Sequence, residues 1–310
     1  MALEGVMRPG HAQIRVLELD KAVHFYRDVM GLVETGRDAS GRVYFKCWDE
    51  RDHHSLILRE AETAGIDFMA FKVRDEATLD GFKGKLEAAG IATETAPAGD
   101  LLETGRRVRF TIPSGHLIEL YATKTCVGNG MTMLNPPPWN AQAEHGIAPV
   151  RFDHALLYGP NIEAVKKIFV EILGFYLVER VMGPDGESEL GIWLSCGQKV
   201  HDIALVENPE PGKLHHCSFL LESWEKVMRA ADIMAMNKVP VDIGPTRHGV
   251  TRGGTIYAWD PSGNRFETFQ GGYLPYPDYE TLTWDFEGFA DGGLDYPQRK
   301  LHETFLSVYT

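Results

Sequence analysis

The chain repeats itself, and that duplication constrains the fold more tightly than any other feature. GHAQIRV (10–16) is echoed by DHALLYG (153–159), and PSGHLIELY (113–121) by PSGNRFETF (261–269). Spacing is kept as well. Gly31 of MGL follows His11 by 20 residues, and Gly174 of LGF follows His154 by the same 20. A repeat of this kind means that one structural unit was copied, and that each copy must bury its apolar face against its neighbour. The two copies run over 8–122 and 151–272. Between them VGNGMTMLNPPPWN (127–140) is rich in Pro, Asn and Gly and reads as a connector. The expected organisation is therefore an N-terminal domain (1–126), a linker (127–150), a C-terminal domain (151–272) and a tail (273–310). The tail opens YLPYPDYETLTWDFEGF, too aromatic for a disordered segment. It is expected to pack over the C-terminal domain and exclude water.

Each copy divides again. A β run is followed by a helix of 3.6 period, as in Ala22, Phe25, Tyr26, Val29 and Met30, with Asp20 as the expected N-cap. Short strands follow, GRVYFKCW (41–48) and SLILRE (55–60) among them. A second submodule begins at FMAFKV (68–73), with its helix in DEATLDGFKGKLEAAG and its strands in VRFTI and LIELY. Trp224, Val227, Met228 and Ala231 keep the same helical spacing in the other copy. The predicted fold class is α+β: four βαβββ modules paired into two similar domains, each with curved mixed sheets facing one another around a cup.

Composition limits the partners. Of 310 residues 44% are hydrophobic and 24% charged, an ordinary soluble balance. A formal net charge of −13 argues against nucleic acid and anionic membranes, which both reward positive charge. No apolar run approaches the roughly 20 residues needed to span a bilayer, and MALEGVMRPGH has neither the basic segment nor the apolar core of a secretory signal. Cys47, Cys126, Cys196 and Cys217 are scattered, with no CxxC pair. A reducing cytoplasm fits such usage.

The informative difference between the copies lies in their histidines. His216 precedes Glu267 by 51 residues, and Phe68 precedes Glu119 by the same interval. The first copy thus offers His11, Phe68 and Glu119; the second offers His154, His216 and Glu267. Only the second presents two imidazoles and a carboxylate. Such a set covers one face of a divalent metal and leaves the opposite positions open, the facial arrangement of non-haem Fe(II) oxygenases. His215, beside His216, is expected on the other face of its strand as a packing or supporting residue. His201 at a strand end, His248 in the Gly-flanked loop GPTRHGVT and Tyr257 in GTIYAWD are expected around the same cup. An imidazole can shuttle a proton near neutrality, and a phenol can donate to a bound oxygen. His11, His24, His53, His54, His116, His145 and His302 read as structural or surface residues.

VMRPGH, GRRVRF, PSGH, VRFDHAL, GFYL, LHH, DIGPTRHG and DPSGNR resemble the type I extradiol ring-cleavage dioxygenases of the vicinal oxygen chelate superfamily, over almost the whole chain. The resemblance implies Fe(II) held by His154, His216 and Glu267, although the same N,N,O face accepts Mn(II). It implies catalytic roles for His201, His248 and Tyr257, and a substrate pocket lined by Trp193, Val206, Val250 and Phe305. Catechol, plain or substituted, and O₂ are the implied partners, and 2-hydroxymuconic semialdehyde is the implied product of catechol. A homotetramer is implied too. Two other classes share these modules. Glyoxalase-like isomerases or lyases use zinc or nickel but draw four ligands from both halves of a cup, whereas this chain concentrates three in one copy. Metal-free binding modules of the bleomycin-resistance type have no use for a triad kept in one repeat.

Overall fold

A computed structural model describes residues 5–310. Each copy of the repeat builds one continuous mixed sheet. The first has eight strands in the order Val33–Arg37, Val43–Lys46, Leu56–Glu60, Val6–Val16, Gly65–Val73, Leu117–Tyr121, Arg107–Thr111, Glu94–Ala96. The second runs Val241–Arg247, Gly253–Trp259, Arg265–Gly271, Lys213–Leu220, Arg151–Gly159, Ile203–Glu207, Glu189–Ser195, Tyr176–Met182. A ninth strand from the tail, Leu282–Trp284, adds in parallel to Tyr176–Met182. The βαβββ modules thus meet through their first strands, antiparallel, at the middle of each sheet.

The C-terminal sheet curls. Trp193 and Val206 from one half lie in the same buried apolar cluster as Ile243 and Tyr257 from the other, far away in strand order. Alternation explains the two faces. On the Arg151–Gly159 strand, Ala155 and Leu157 enter the core shared by both copies, while Leu156 and Tyr158 enter the cup. That shared core joins the domains: Phe71 meets Phe169 and Phe175 at 6.0 and 5.4 Å. Polar ties flank it, with Tyr26 Oη donating to Asp260 (3.0 Å) and Asn264 Nδ2 to the Arg15 carbonyl (2.9 Å).

The longer helices start as their sequences dictate. Asp75 accepts from Thr78 N at the head of Glu76–Ala88, and Ser223 from Lys226 N at the head of Trp224–Met236. Caps of this kind are worth about 1 kcal/mol each. Asp20 is not an N-cap. The helix Leu19–His24 begins two residues earlier than such a cap would place it, with Glu18 at the cap position making no side-chain bond, and Asp20 falls in the first turn. There its charge still faces the positive end of the helix dipole. Both copies then widen into a π turn, Phe25–Val29 and Ile168–Ile172, and leave it through a glycine at φ +78°, Gly31 or Gly174. A Cβ on Gly31 would sit 1.9 Å from the His145 carbonyl oxygen, so only glycine serves there.

Candidate metal centre

The cup of the C-terminal sheet gathers the predicted residues. His154 comes from Arg151–Gly159, His216 from Lys213–Leu220 and Glu267 from Arg265–Gly271, three neighbouring strands. All three are buried. Among the described residues they form the one group of three or more His, Cys, Asp or Glu side chains with ligand atoms close enough for a metal. His154 Nε2 lies 2.9 Å from Glu267 Oε2 and 3.4 Å from His216 Nε2; His216 Nε2 lies 3.5 Å from Glu267 Oε2. Ligand bonds of roughly 2.1 Å at right angles put neighbouring donor atoms roughly 3 Å apart. The three edges are close to that spacing. Glu267 Oε2, moreover, is buried with no aligned hydrogen-bond donor. A buried carboxylate oxygen facing two imidazole nitrogens is costly unless a cation completes it. The residues present therefore fit a divalent metal.

Supporting contacts set the donor atoms. Asp153 Oδ2 lies 2.9 Å from His154 Nδ1, so that nitrogen carries the hydrogen and Nε2 keeps its lone pair. Asp153 is held below the usual carboxylate range: burial opposes this, but the Lys199 charge and the hydrogen bond from His154 outweigh it. Thr255 Oγ1 donates to Glu267 Oε1 at 2.5 Å, leaving Oε2 for the metal. Burial favours a neutral Glu267, yet its contacts with His154, His216 and His248 push its pKa well below the ordinary carboxylate value.

His215 departs from the sequence expectation. Pairing across to Arg151–Gly159 runs Leu214↔Leu157 and then His216↔Leu156, so His215 is the extra residue of a β-bulge. A bulge breaks the two-residue alternation. Both imidazoles consequently turn to the cup side. His215 stacks on Tyr158 (4.8 Å between ring centres, 27°) and lies 4.2 Å from the Phe305 ring. Its Nδ1 is 2.6 Å from His216 Nδ1, and its Nε2 is 2.9 Å from the Phe305 carbonyl oxygen. One tautomer satisfies both bonds while freeing His216 Nε2: His216 Nδ1–H donates to His215, and His215 Nε2–H donates to Phe305.

The remaining predicted residues surround the triad. The His201 ring lies tilted by 49° against that of His154, with ring centres 3.9 Å apart, and its Nδ1 has no partner. Burial drives its pKa well below the ordinary histidine value, so the ring is neutral. His248 Nε2 is 2.8 Å from Tyr257 Oη, and its Nδ1 contacts the Leu294 carbonyl. Trp193, Val250 and Phe305 line the remaining space, while Val206 belongs to the same apolar cluster without lining that space. Leu156, Phe289 and Leu294 line it too, and were not singled out from sequence. The free space is only about 20 Å³, close to one water. Phe289, Leu294 and Phe305 belong to the tail, which thus forms part of the wall of the site.

The N-terminal cup shows what replaces a metal. Arg107 and Arg109 donate to Glu119 at 2.8 and 2.6 Å, and Phe68 stands where His216 does. Two guanidinium groups neutralise the carboxylate that a cation would otherwise have to satisfy.

Comparison with known proteins agrees with this geometry. Residues 66–125 match the catechol 2,3-dioxygenase-like N-terminal domain, and residues 151–268 the glyoxalase/bleomycin resistance protein/dioxygenase superfamily. The chain is 50% identical to metapyrocatechase of Pseudomonas sp. (strain CF600), over 99% of each chain. It is 30% identical to a manganese-dependent 2,3-dihydroxybiphenyl 1,2-dioxygenase of Geobacillus genomosp. 3, over 94% of each. Among solved structures, the 2,3-dioxygenase LapB from Pseudomonas sp. KL28 is 72% identical with a TM-score of 0.92, covering 93% of this chain and all of that one. Homoprotocatechuate 2,3-dioxygenase from Brevibacterium fuscum is 25% identical with a TM-score of 0.88, covering 100% of this chain and 95% of that one. The fold and the site together define an enzyme of the vicinal oxygen chelate class. Within that class, the chain belongs to the extradiol dioxygenases.

Proposed function

We infer that the enzyme cleaves catechol beside its two hydroxyls with O₂, giving 2-hydroxymuconic semialdehyde, at a single Fe(II) held by His154, His216 and Glu267. The observation that carries this reading is the orphaned Glu267 Oε2 facing two imidazole nitrogens on one side of a closed cup. When bound, the metal supplies open positions for both catechol oxygens and O₂, and a redox-active centre joining them. Iron is the metal that the sequence resemblance implies, and the manganese-dependent relative makes Mn(II) the alternative.

The chain's own side chains do the rest. In this reading neutral His201 takes a proton from a substrate hydroxyl and returns it when an oxygen must leave; its ring beside His154 and its unpartnered Nδ1 support the role. Such acid–base help is worth about 10²–10⁴-fold. Tyr257, tied to His248, presents a phenol to the substrate oxygens. The walls Leu156, Trp193, Val250, Phe289, Leu294 and Phe305 carry no charge, and neither Lys nor Arg lines the cup. The pocket therefore suits catechol and its alkyl derivatives rather than ring-diols bearing a carboxylate. The catalytic unit is 151–272 under the tail 273–310, with 1–126 carrying no metal and 127–150 joining the two. A cytoplasmic homotetramer completes the proposal. Among the described residues no helix is long and apolar enough to cross a membrane, and sedimentation equilibrium tests the assembly.

Anaerobic loading with Fe(II) or Mn(II), followed by oxygen uptake with catechol, tests the reaction. A yellow ring-fission product with one O₂ consumed per catechol supports the proposal, and the more active metal identifies the cofactor. Turnover without O₂ would place the chain with the isomerases and refute it.

A further inference from the structure

Glu179 is a buried carboxylate that the metal centre does not use. It lies on the strand Tyr176–Met182, 1% exposed, and forms no ion pair among the described residues. Its oxygens are nonetheless occupied. Oε1 accepts from Thr251 N at 2.9 Å and from Tyr273 Oη at 2.7 Å, and Oε2 accepts from Trp284 Nε1 at 2.9 Å. Burial pushes its pKa up, while these donors favour the ionised form. A glutamine there would turn an N–H toward at least one of the donors. The copy without a metal set has no such group. Both edge strands bulge, and past the bulge Glu179 pairs with Trp193 as Gly36 does with Tyr44. Glycine thus stands at the equivalent place.

The donors come from the two segments that close the metal cup. Thr251 belongs to the loop 248–252, of which His248, Val250 and Thr251 line the free space. Tyr273 and Trp284 belong to the tail, which also supplies Phe289, Leu294 and Phe305 to the wall. The loop is strained. Thr251 and Arg252 stand consecutively at φ +60° and +59°, a region that residues with a Cβ avoid. Such a loop keeps its shape only where its surroundings hold it. On one side the tail does so: Gly249 N and Val250 N each donate to the Gly293 carbonyl at 3.0 Å, and His248 Nδ1 contacts the Leu294 carbonyl. On the other side Glu179 takes the Thr251 N–H. Through Trp284 it also fixes a ring packed so closely that a Cβ on Gly249 would sit 2.9 Å from it.

The loop's place decides what His248 can do. With Nδ1 at the Leu294 carbonyl, the ring carries its hydrogen there and offers Nε2 to Tyr257 Oη, 2.8 Å away. We propose that Glu179 is a positioning residue: its carboxylate draws the strained loop and the tail into one arrangement and so holds His248 against Tyr257 over the cup. This rests on the reading of His248 as part of the reacting site. Glu179 itself does not line the free space, so it acts on turnover without touching metal or substrate.

Glu179→Gln keeps the size and breaks the clamp. Hydrogen–deuterium exchange on the full-length, metal-free protein should show the peptide 247–253 exchanging roughly tenfold faster than in wild type, the factor expected for a lost buried hydrogen bond. The ligand-bearing strands should exchange as before. This readout judges the clamp whatever reaction the enzyme performs. In iron-loaded enzyme, bound iron should stay at the wild-type level while kcat falls about 10- to 100-fold, as for a misplaced catalytic group. His248→Asn supplies the control. If Glu179 acts through His248, adding Glu179→Gln to His248→Asn should cost less than about threefold. Tyr273→Phe, at a half-buried position outside the cup, removes one bond and leaves the carboxylate its other donors. It should shift exchange and kcat in the same direction by a smaller factor. Unchanged exchange of 247–253 in Glu179→Gln, or losses that multiply fully in the double variant, would overturn the assignment.

Discussion

Replacing His215 by Phe tests whether the bulge serves the metal or merely fills space. The phenyl ring preserves the stack on Tyr158 and the contact with Phe305, so packing is nearly unchanged. Both hydrogen bonds of the imidazole are lost. The Phe305 carbonyl still accepts from Tyr158 Oη at 2.6 Å, so the loss falls on His216 Nδ1–H. An unpartnered buried donor costs about 1–3 kcal/mol. The metal-free side chain escapes by turning or changing tautomer, but the metal-bound one cannot. The penalty therefore appears in metal affinity as a weakening of roughly 5- to 150-fold, a span that brackets the roughly 10- to 100-fold typical of lost supporting contacts. Competition with a chromophoric chelator measures it directly. His215→Asn places an oxygen near the former Nδ1 and should recover most of the affinity. If His215→Phe holds the metal as tightly as wild type, the relay from Phe305 through His215 to His216 has no energetic meaning.

His201→Phe should keep full metal occupancy but lose about 10²–10⁴-fold in turnover; steady-state oxygen uptake normalised to bound metal decides it. Truncation after Gly272 removes Phe289, Leu294 and Phe305 from the cup and should collapse activity, whereas unchanged kinetics would show that the tail neither shapes nor dries the site. His116, whose Nε2 meets the Lys213 carbonyl across the domain boundary at 3.0 Å, has its pKa lowered by burial to about 4. Its stabilising contribution is complete above the unfolded value of 6.5 and is lost as pH falls from there through 4, because the unfolded chain binds the proton first. Urea unfolding should show about 2 kcal/mol of this loss by pH 5, and His116→Gln should flatten that part of the profile.

Much of this was legible in the chain itself. Repeat spacing marked out two copies, each of which builds one sheet, and a residue-by-residue comparison of them singled out His154, His216 and Glu267 because Phe68 breaks the set in the first. The face of His215 was not legible, since period-2 reasoning assumes an unbroken ladder and a bulge leaves no mark in LHHCSF. Arg107 and Arg109 were within reach. The offset that aligns Phe68 with His216 also carries them onto Thr255 and Tyr257, and GRRVRF places two cations beside Glu119. Asp153 was hidden by its adjacency to His154, where alternation again sends neighbours apart, yet its carboxylate reaches back to Nδ1. The tail strand Leu282–Trp284 was unreadable for another reason. Three residues carry too little pattern, and its place is set by the edge of Tyr176–Met182 that it covers.

The most direct test counts metal ions per chain, in wild type and in Glu267→Ala, by elemental analysis of enzyme loaded anaerobically and freed of excess iron. One tightly held iron per chain in wild type and almost none in the variant is the expected result. Two irons per wild-type chain, or an undiminished count after Glu267 is removed, would contradict the central claim.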